Sequence, residues 1–361
     1  MMNVVHSGEN YQIYGESLKV YNELPVRTYE VHFNKMTGFS LVNHLDLSIQ
    51  EEKIYGVHHE KVKKSLESFK RASRNFGIIL SGRKGIGKSL FARLLAQEAK
   101  NYNLPLIIVP FYIPGIASFI SSIQQEVIVL FDEFEKTFGA KNDNDPQEEM
   151  LSLFDGVDCG KKMFVITCND TYKLNEFLLN RPGRFHYHFT LTSPSASEIR
   201  EYMTDKLLPQ YHNLIDQVIG FGMTINNITF DILRAIAFEI NQGYSFEETI
   251  SDLNISKEGR QRFKVVVTLS DGTVATEYKA INLAADYTDT WWFSDKSGKS
   301  FGCEFNYSNI IFNYATGAIY LPLEDILLRS YCDEEDGKDL TNIEIVNFTL
   351  VKEKESNTKY Y

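Results

Sequence analysis

The sequence predicts an α/β fold whose central region holds a parallel β-sheet, followed by a helical segment and a β-rich C-terminal part. Three observations predict it. From Lys53 to about Thr190, short apolar runs alternate with segments of helical apolar spacing, the pattern of a parallel sheet flanked by helices. One strand-to-helix junction, residues 82–89, is rich in glycine. From about Lys257 the apolar residues recur with the period of two that is typical of strands.

The N-terminal segment, residues 1–52, mixes aromatic residues with short alternating stretches. Alternation over Thr28–Phe33 is typical of a strand with one buried face, so the segment is expected to contain one or two hairpins. It is predicted to be a small mixed α/β segment that precedes the core.

The core, residues 53–191, is predicted to alternate strands with helices. Apolar runs predict strands at Phe76–Leu80, Leu106–Val109, Val127–Phe131, Met163–Thr167 and Tyr187–Leu191. Helical spacing predicts helices at Lys61–Ala72, Leu90–Asn101, Ala117–Gln125 and Gln147–Phe154. Together these elements predict a parallel sheet with flanking helices.

Two further regions follow the core. Residues 192–256 are predicted to be helical, because Ser195 and Glu198 have the spacing of a capping box. Residues 257–361 are predicted to form a β-rich domain that opens with a hairpin around Asp271-Gly272. Further strands are predicted at Trp291–Phe293, Ile310–Tyr314, Ala318–Leu321 and Ile343–Leu350.

Composition places the chain among ordinary globular proteins. Of its 361 residues 43% are hydrophobic and 24% are charged, and the net charge of −11 argues against a general binder of nucleic acid. No apolar run approaches the ~20 residues that span a bilayer, and the first residues lack the pattern of a secretory signal. Four scattered cysteines suit reduced thiols, so the expected location is cytoplasmic, without a membrane partner.

The glycine-rich junction has the form Gly82-x-x-Gly85-x-Gly87-Lys88-Ser89 between a strand and a helix. Glycines let the backbone N–H groups curl inward toward phosphate oxygens, and the new helix adds its positive end. In such a loop the lysine bridges the β- and γ-phosphates and the serine hydroxyl holds Mg²⁺. The junction therefore predicts binding of a nucleoside triphosphate, with ATP and Mg²⁺ as the expected ligands.

The buried run Val127–Phe131 ends in two carboxylates, Asp132 and Glu133. After a phosphate loop, the first is expected to hold Mg²⁺ through its water shell and the second to orient and deprotonate the attacking water. The strand at Met163–Thr167 is followed by Asn169, whose amide is expected beside the γ-phosphate. Arg181 and Arg184 flank a Pro-Gly turn, and guanidinium groups suit bidentate contact with phosphate.

These motifs resemble the AAA family of ATPases, within the larger AAA+ class, over about residues 53–253. The resemblance rests on GRKGIGKS (Walker A), VIVLFDE (Walker B), ITCND (sensor 1) and NRPGRF (the second region of homology). It implies an AAA+ P-loop NTPase core with a helical lid, hydrolysis of ATP, and a homo-oligomeric ring, usually a hexamer. The overall sequence is also similar to those of AAA ATPases encoded by tailed phages and plasmids.

The resemblance assigns a role to each candidate residue. It implies that Glu133, Asn169, Arg181 and Arg184 act in catalysis, both arginines reaching the ATP of the neighbouring subunit. Ser89 and Asp132 are implied for Mg²⁺, and the segment Leu153–Val157 for signalling between subunits. Nucleotide contacts are implied for Gly82, Lys84, Gly85, Ile86, Gly87, Lys88, Ser89 and Leu90, and for Tyr55 and Gly56 near the adenine.

Two assignments stay open. Phe111 and Tyr112 follow a core strand in the interval where relatives carry an aromatic pore loop; they line a pore, or Phe111 and Phe119 belong to the core, which is slightly favoured. Arg234 is a sensor-2 contact to nucleotide or, with better odds, a solvated arginine on a helix face.

Two functions from different classes fit these observations. The first is a ring that uses ATP to remodel or translocate a protein target, favoured by the arginine pair and the acidic charge. The second is a nucleic-acid-linked ATPase, a helicase or polymerase-accessory loader of a phage replication system, supported by the short interval before Walker B. The C-terminal region weakens the second, because it holds twelve basic against seventeen acidic residues.

Overall fold

The computed structural model describes residues 3–7, 9–15, 18–49, 53–139, 145–156, 160–179, 181–225, 228–255, 261–282, 286–294, 298, 300–313, 318–330 and 343–352. The chain divides into two compact units, Met1–Leu191 and Thr192–Tyr361. The predicted division of the chain into four parts stays a prediction.

In the described part of the first unit, seven strands form one sheet in the order β4-β3-β6-β7-β8-β5-β9. All neighbours are parallel except β3 and β4. The strands are β3 (Thr28–Asn34), β4 (Gly38–Asn43), β5 (Phe76–Ser81), β6 (Leu106–Ile108), β7 (Val127–Phe131), β8 (Lys162–Cys168) and β9 (Phe185–Thr190). A separate hairpin pairs β1 (Asn3–Ser7) with β2 (Asn10–Tyr14).

Helices cover both faces of this sheet, which is why β5, β7 and β8 are buried along their whole length. On one face Ile78 and Leu80 of β5 belong to an apolar cluster with the first two helices, and on the other Ile79 belongs to a second cluster. The helices are α1 (His58–Arg71), α2 (Lys88–Asn101), α3 (Ile116–Ser121), α4 (Phe134–Thr137), α5 (Pro146–Asp155) and α6 (Glu176–Leu179).

Each strand and helix predicted for the core has a counterpart, with ends that differ by at most a few residues. The exception is the helix predicted at Ala117–Gln125, which ends at Ser121. One feature of the sheet was not predicted: the hairpin formed by β3 and β4 extends it, because β3 pairs in parallel with β6. Residues 28–43 thus share the sheet of the nucleotide-binding core.

The core assignment of Phe111 is wrong, since this side chain is 37% exposed. Phe119 does pack against the core, where its ring stacks on Phe39 at a centroid distance of 5.2 Å. The Tyr112 ring contacts Phe138 edge-on at 5.7 Å. Phe111 is therefore exposed, whereas Tyr112 and Phe119 pack against core residues.

The described part of the second unit begins with the α-helices α7 (Ala196–Lys206), α8 (Ile215–Thr224), α9 (Phe230–Asn241) and α10 (Phe246–Asp252). The predicted capping box of α7 is confirmed: the Ser195 hydroxyl accepts the Glu198 N–H, and the Glu198 carboxylate accepts the Ser195 N–H. Arg234 lies on the exposed face of α9, 3.5 Å from Asp231. Its role toward nucleotide stays a prediction.

The described remainder of the second unit is mostly β-structure. Two sheets are present among its described residues, in the orders β11-β10-β17-β15-β14 and β12-β13-β16. Phe348 of the first sheet contacts the rings of Trp291, Phe293 and Phe305 of the second, so the sheets pack face to face. The strands are β10 (Gln261–Leu269), β11 (Val274–Ile281), β12 (Thr288–Ser294), β13 (Ser300–Asn306), β14 (Ile311–Phe312), β15 (Ile319–Tyr320), β16 (Leu327–Ser330) and β17 (Ile345–Lys352).

No helix among the described residues is long and apolar enough to cross a membrane. Cys168 and Cys303 are buried free thiols, and burial raises the pKa of each to about 12. They stay protonated at neutral pH and pack as small apolar groups. Cys159 and Cys332 lie outside the described residues.

Candidate nucleotide-binding site

Three neighbouring parallel strands bring the predicted motifs to one edge of the sheet. β5 ends at Ser81 before the glycine-rich loop, β8 ends at Cys168 before Asn169, and β7 ends at Phe131 before Asp132. Because β8 lies between β5 and β7, Asn169 leaves the sheet between the loop and the carboxylates. A crevice at the carboxyl ends of parallel strands is where open α/β sheets bind ligands.

The backbone of the loop needs its glycines. Gly82 has φ +150° and Gly87 has φ +99°, conformations that L side chains rarely adopt. A Cβ at Gly82 would lie 2.6 Å from the Leu191 carbonyl oxygen, and one at Gly87 would lie 2.6 Å from His58 Nε2. The loop is thus held closely between β9 and the start of α1, with its glycines in the positions that a phosphate cradle requires.

Lys88 opens α2 with an ammonium group that points back into the loop. Its Nζ donates to the carbonyl oxygens of Gly82 at 2.5 Å and Arg83 at 2.9 Å, and to Asn169 Oδ1 at 2.8 Å. Burial lowers its pKa, while the charges of neighbours that include Glu135 and Asp132 oppose that shift. Lys88 is only 8% exposed, so its charge lies inside the crevice where phosphate oxygens would replace the backbone oxygens as acceptors.

Asp132 and Glu133 are joined through Thr167, a residue of the neighbouring strand. The Thr167 hydroxyl donates to Asp132 Oδ1 at 2.5 Å and accepts the Glu133 N–H at 2.9 Å. Thr167 is fully buried, so this contact is shielded from water. One hydroxyl therefore orients the predicted metal-binding carboxylate and fixes the backbone of the predicted general base.

Glu133 itself occupies an unusual backbone position, with φ +46° and ψ +49°. Such a conformation is costly for a residue with a side chain and is found where a side chain must be aimed at a site. Its Oε1 accepts from Lys136 Nζ at 2.7 Å and from Asn169 Nδ2 at 3.3 Å. The Lys136 hydrogen bond is the main reason why the pKa of Glu133 is lowered, so the carboxylate is ionised at neutral pH.

Asn169 is held by a carboxylate that the sequence analysis did not single out. Glu135 Oε1 accepts the Asn169 backbone N–H at 2.8 Å and its Nδ2 at 2.9 Å. Glu135 is 6% exposed, and its Oε2 has no hydrogen-bond partner among the described residues. These contacts set which end of the amide faces Lys88, since the Asn169 Oδ1 oxygen is the end that accepts from it.

The remaining residues of the loop divide by exposure. Lys84, Gly85 and Ser89 are exposed at the rim, whereas Ile86 is buried and Leu90 is half-buried, so these two anchor the loop. The positive charge of Lys84 contributes to the lowered pKa of Glu133. Among the described residues no three His, Cys, Asp or Glu side chains cluster as a metal cage. The donor set of Ser89 and Asp132 suits Mg²⁺ that arrives with nucleotide, because this ion takes few protein ligands beside phosphate and water.

Tyr55 and Gly56 lie just before Val57, the N-cap of α1, and α1 reaches the loop through His58, whose ring lies against Gly87. The segment is therefore brought to the end of the phosphate loop. Tyr55 is buried and Gly56 has φ +75°. Their predicted contact with adenine stays a prediction.

The two arginines of the Pro-Gly turn have different environments. Arg184 is 6% exposed: its Nε and Nη2 donate to the two carboxylate oxygens of Asp155, and its Nη1 donates to the Phe177 carbonyl oxygen at 3.1 Å. This pair raises the pKa of Arg184 and lowers that of Asp155. Arg181 is exposed. Arg184 thus has a partner within its own chain, and Arg181 is the arginine that the turn presents to solvent.

Residues 78–193 match the family described as "ATPase family associated with various cellular activities (AAA)". This segment is similar to AAA domains. The match supports an AAA-family ATPase, and the sheet of mostly parallel strands flanked by helices fits the α/β P-loop core. Proteins with AAA domains typically bind ATP with Mg²⁺ and hydrolyse it. No curated protein matches the chain.

The matched segment contains three polar residues that the sequence analysis missed. Each one carries a weak local signal: Thr167 interrupts an apolar strand, Glu135 is a third acidic residue after the Walker B strand, and Asp155 ends a helix before a glycine. Alone, such residues are common in strands and helix ends. Only the neighbouring strands show that their oxygens hold Asp132, Asn169 and Arg184.

Proposed function

We propose that the chain hydrolyses ATP to ADP and phosphate and that, as a cytoplasmic ring, it couples this reaction to remodelling or translocating a protein target. The observation that carries the ATPase assignment is the meeting of Lys88, the Asp132–Thr167–Glu133 contact and Asn169 at the carboxyl ends of three adjacent strands. The two cysteines that the structure describes, Cys168 and Cys303, are buried free thiols, which suits a reducing compartment.

The residues divide the chemistry between them. Lys88 and the loop N–H groups bind the phosphates, while Ser89 and Asp132 hold Mg²⁺, which neutralises charge on the phosphate oxygens when bound. Ionised Glu133 accepts a proton from the attacking water, whose oxygen forms the new bond to the γ-phosphorus as the bond to the leaving ADP oxygen breaks. Asn169, held by Glu135, places its amide beside this water.

The turn arginines favour an oligomer. Arg181 precedes β9, which starts at the same end of the sheet as β5, and the phosphate loop follows the other end. At about 3.3 Å per residue, β5 alone separates the two ends by roughly 17 Å. Arg181 is therefore suited to the nucleotide of another copy, and the proposed assembly is a homo-oligomeric ring, usually a hexamer in this family.

Charge favours a protein target over nucleic acid. The net charge of −11 works against the phosphate contacts that drive non-specific binding of nucleic acid. The alternative, a helicase or polymerase-accessory loader of a phage replication system, is retained because no described feature of the crevice depends on the target. The predicted similarity to phage and plasmid ATPases concerns origin and stays a prediction.

The test uses Glu133→Gln as a trap that binds ATP but hydrolyses it slowly. The tagged trap is expressed in the native host and purified with ATP, and its partners are identified by mass spectrometry and by nuclease treatment. The matched control is Glu133→Gln combined with Lys88→Ala, which should not retain ATP.

A defined protein held by the trap and absent from the control would support remodelling. Nuclease-sensitive nucleic acid held in the same way, with binding that falls steeply with salt, would favour the alternative. A purified wild-type chain that hydrolyses no ATP, alone or with the captured partner, would contradict the ATPase assignment itself.

A further inference from the structure

A basic cavity of about 380 Å³ lies at the end of the sheet opposite the phosphate loop. It lies between residues 68–76, which lead from α1 into β5, and residues 182–186, which lead into β9. Its volume is within the range of about 300–1,000 Å³ that is typical of small-molecule sites.

The lining of the cavity is cationic and able to donate hydrogen bonds. Arg71, Arg74 and His186 line it together with Ser68 and Ser73, and none of its described lining residues is acidic. Arg71 and Arg74 are exposed, and neither has an ion-pair partner among the described residues. In a chain of net charge −11, two unpaired arginines in one cavity indicate an anionic ligand.

The turn that carries Arg181 forms one wall of the cavity. Pro182 and Gly183 line it, and Gly183 lies so close to Arg74 that a Cβ there would be 3.2 Å from Arg74 Nη2. Arg184 also lines it, but its guanidinium is committed to Asp155. The cations available for a ligand at this face are therefore Arg71 and Arg74, beside the exposed Arg181.

The chain's own nucleotide is out of reach. The cavity lies before the first residue of β5 and the phosphate loop lies after its last, so the two sites are separated by at least the roughly 17 Å of that strand. The opposite end of the sheet carries both signs, since Asp132, Glu133 and Glu135 lie near Lys84, Lys88 and Lys136, and a bound triphosphate would supply the negative charge that attracts arginines. Two copies can therefore meet by these two unlike ends.

We propose that Arg74 and Arg71 bind the phosphates of a nucleotide held in the phosphate loop of a second copy, with Arg74 as the principal contact beside Arg181. The inference rests on the proposed ATPase function and extends it, because it adds to the shared site a cation from the segment before β5. The planar guanidinium groups of Arg71, Arg74 and Arg181 together suit the several oxygens of a triphosphate.

The first experiment measures ATPase turnover of assembled wild type, Arg74→Ala and Arg74→Lys. Loss of one charge-assisted hydrogen bond corresponds to a fall in kcat of roughly tenfold to a hundredfold, and lysine should restore only part of it. Arg27→Ala removes an exposed arginine outside the cavity and is the matched control, with turnover expected within about twofold of wild type.

The second experiment tests whether the contact is made between copies. Lys88→Ala offers an intact cavity but no nucleotide, and Arg74→Ala offers an intact phosphate loop but a damaged cavity. Mixed before assembly, inactive Lys88→Ala and impaired Arg74→Ala should show more ATPase activity than the sum of the two measured separately, as should Lys88→Ala mixed with Arg181→Ala. On its own, Lys88→Ala should stay inactive and Arg74→Ala should keep only its residual turnover.

The outcomes separate the two proposals. An inactive wild type would mean that the ATPase function fails. In a second outcome wild type is active and the Arg181→Ala mixture recovers activity, but the turnover of Arg74→Ala equals that of Arg27→Ala. This outcome would overturn only the role of the cavity. A third outcome combines two results: the Arg74→Ala mixture shows no recovery, and wild type binds a second ATP per monomer that Arg74→Ala does not bind. It would assign the cavity to free nucleotide and also overturn the proposal.

Discussion

Replacing Asp155 by Asn should loosen the turn that carries Arg181, because the Asp155 carboxylate accepts two hydrogen bonds from the buried Arg184 guanidinium. Asparagine keeps the shape but offers one neutral oxygen in place of a bidentate anion. Arg184 would then retain its contact to the Phe177 carbonyl oxygen and lose its counter-charge. The expected effect is local opening of the turn rather than global unfolding.

Exposure sets the magnitude. The Arg184 side chain is 7% exposed and that of Asp155 is 37% exposed. Breaking a fully buried pair costs about 3–5 kcal/mol and a fully exposed one is worth about 0–1 kcal/mol. The pair lies between these limits because water reaches one partner, so the expected cost is about 2 kcal/mol, or roughly a thirtyfold rise in the opening equilibrium.

Hydrogen exchange measured by mass spectrometry can read this change directly. The N–H groups of Arg184 and Phe185 close the turn by donating to the Arg181 carbonyl oxygen, so these two amides should exchange about thirtyfold faster in peptides that contain them. Asp46→Asn, which breaks an exposed pair with Lys100, is the control and should leave these peptides unchanged. Fluorescence of Trp291 and Trp292 reports the second unit alone and should also be unchanged.

Acid gives a second check. Because Arg184 lowers the pKa of Asp155, the contribution of the pair is present above the ordinary pKa of aspartate and is lost as the pH falls through the lowered value. The difference between wild type and Asp155→Asn should therefore shrink below roughly pH 4. A change in exchange of less than about threefold at neutral pH, or an equal effect in Asp46→Asn, would refute the anchoring role of the pair.

Three further predictions concern the crevice. Thr167→Val keeps the shape of a buried side chain but removes the hydroxyl between Asp132 and Glu133. In steady-state assays it should lower kcat roughly tenfold or more and weaken the dependence of the rate on Mg²⁺. An unchanged kcat would exclude this contact from catalysis. Glu135→Ala frees the Asn169 amide and should lower kcat with little change in the KM for ATP. Glu135→Gln keeps an acceptor oxygen and should retain more activity. Equal losses of activity in both variants would argue for a purely structural effect. Lys136→Met removes the main cause of the lowered pKa of Glu133, so the acidic limb of the kcat–pH profile should move to higher pH, and a shift to lower pH would contradict the assignment of Glu133 as the base.

Local features of the sequence predict the fold of the core well because they have local physical causes. The apolar run Val127–Phe131 forms a strand with the predicted ends, since a strand buried on both faces needs apolar side chains throughout. Glycines at 82 and 87 predict the loop because only they take its backbone conformations readily. Ser195 and Glu198 cap α7 through contacts three residues apart.

Contacts between distant segments could not be predicted in this way. The order of residues along the chain does not show that β8 lies between β5 and β7. That strand order brings the Thr167 hydroxyl within hydrogen-bond distance of Asp132, and it brings Glu135 to Asn169. Likewise, the sequence predicts the hairpin of β3 and β4 as part of a separate N-terminal segment, although backbone hydrogen bonds join β3 to β6.

The sequence by itself determined the order of the nucleotide-binding motifs and the kind of chemistry they support, because each motif is a short run whose backbone and side chains act together. Only the tertiary structure decided how the two turn arginines divide: Asp155, 29 residues before Arg184, pairs with it and leaves Arg181 exposed. The structure also placed Arg71 and Arg74 in one cavity with that turn. The reason is physical, since a buried charge takes whichever counter-charge the packing of helices and strands brings within reach.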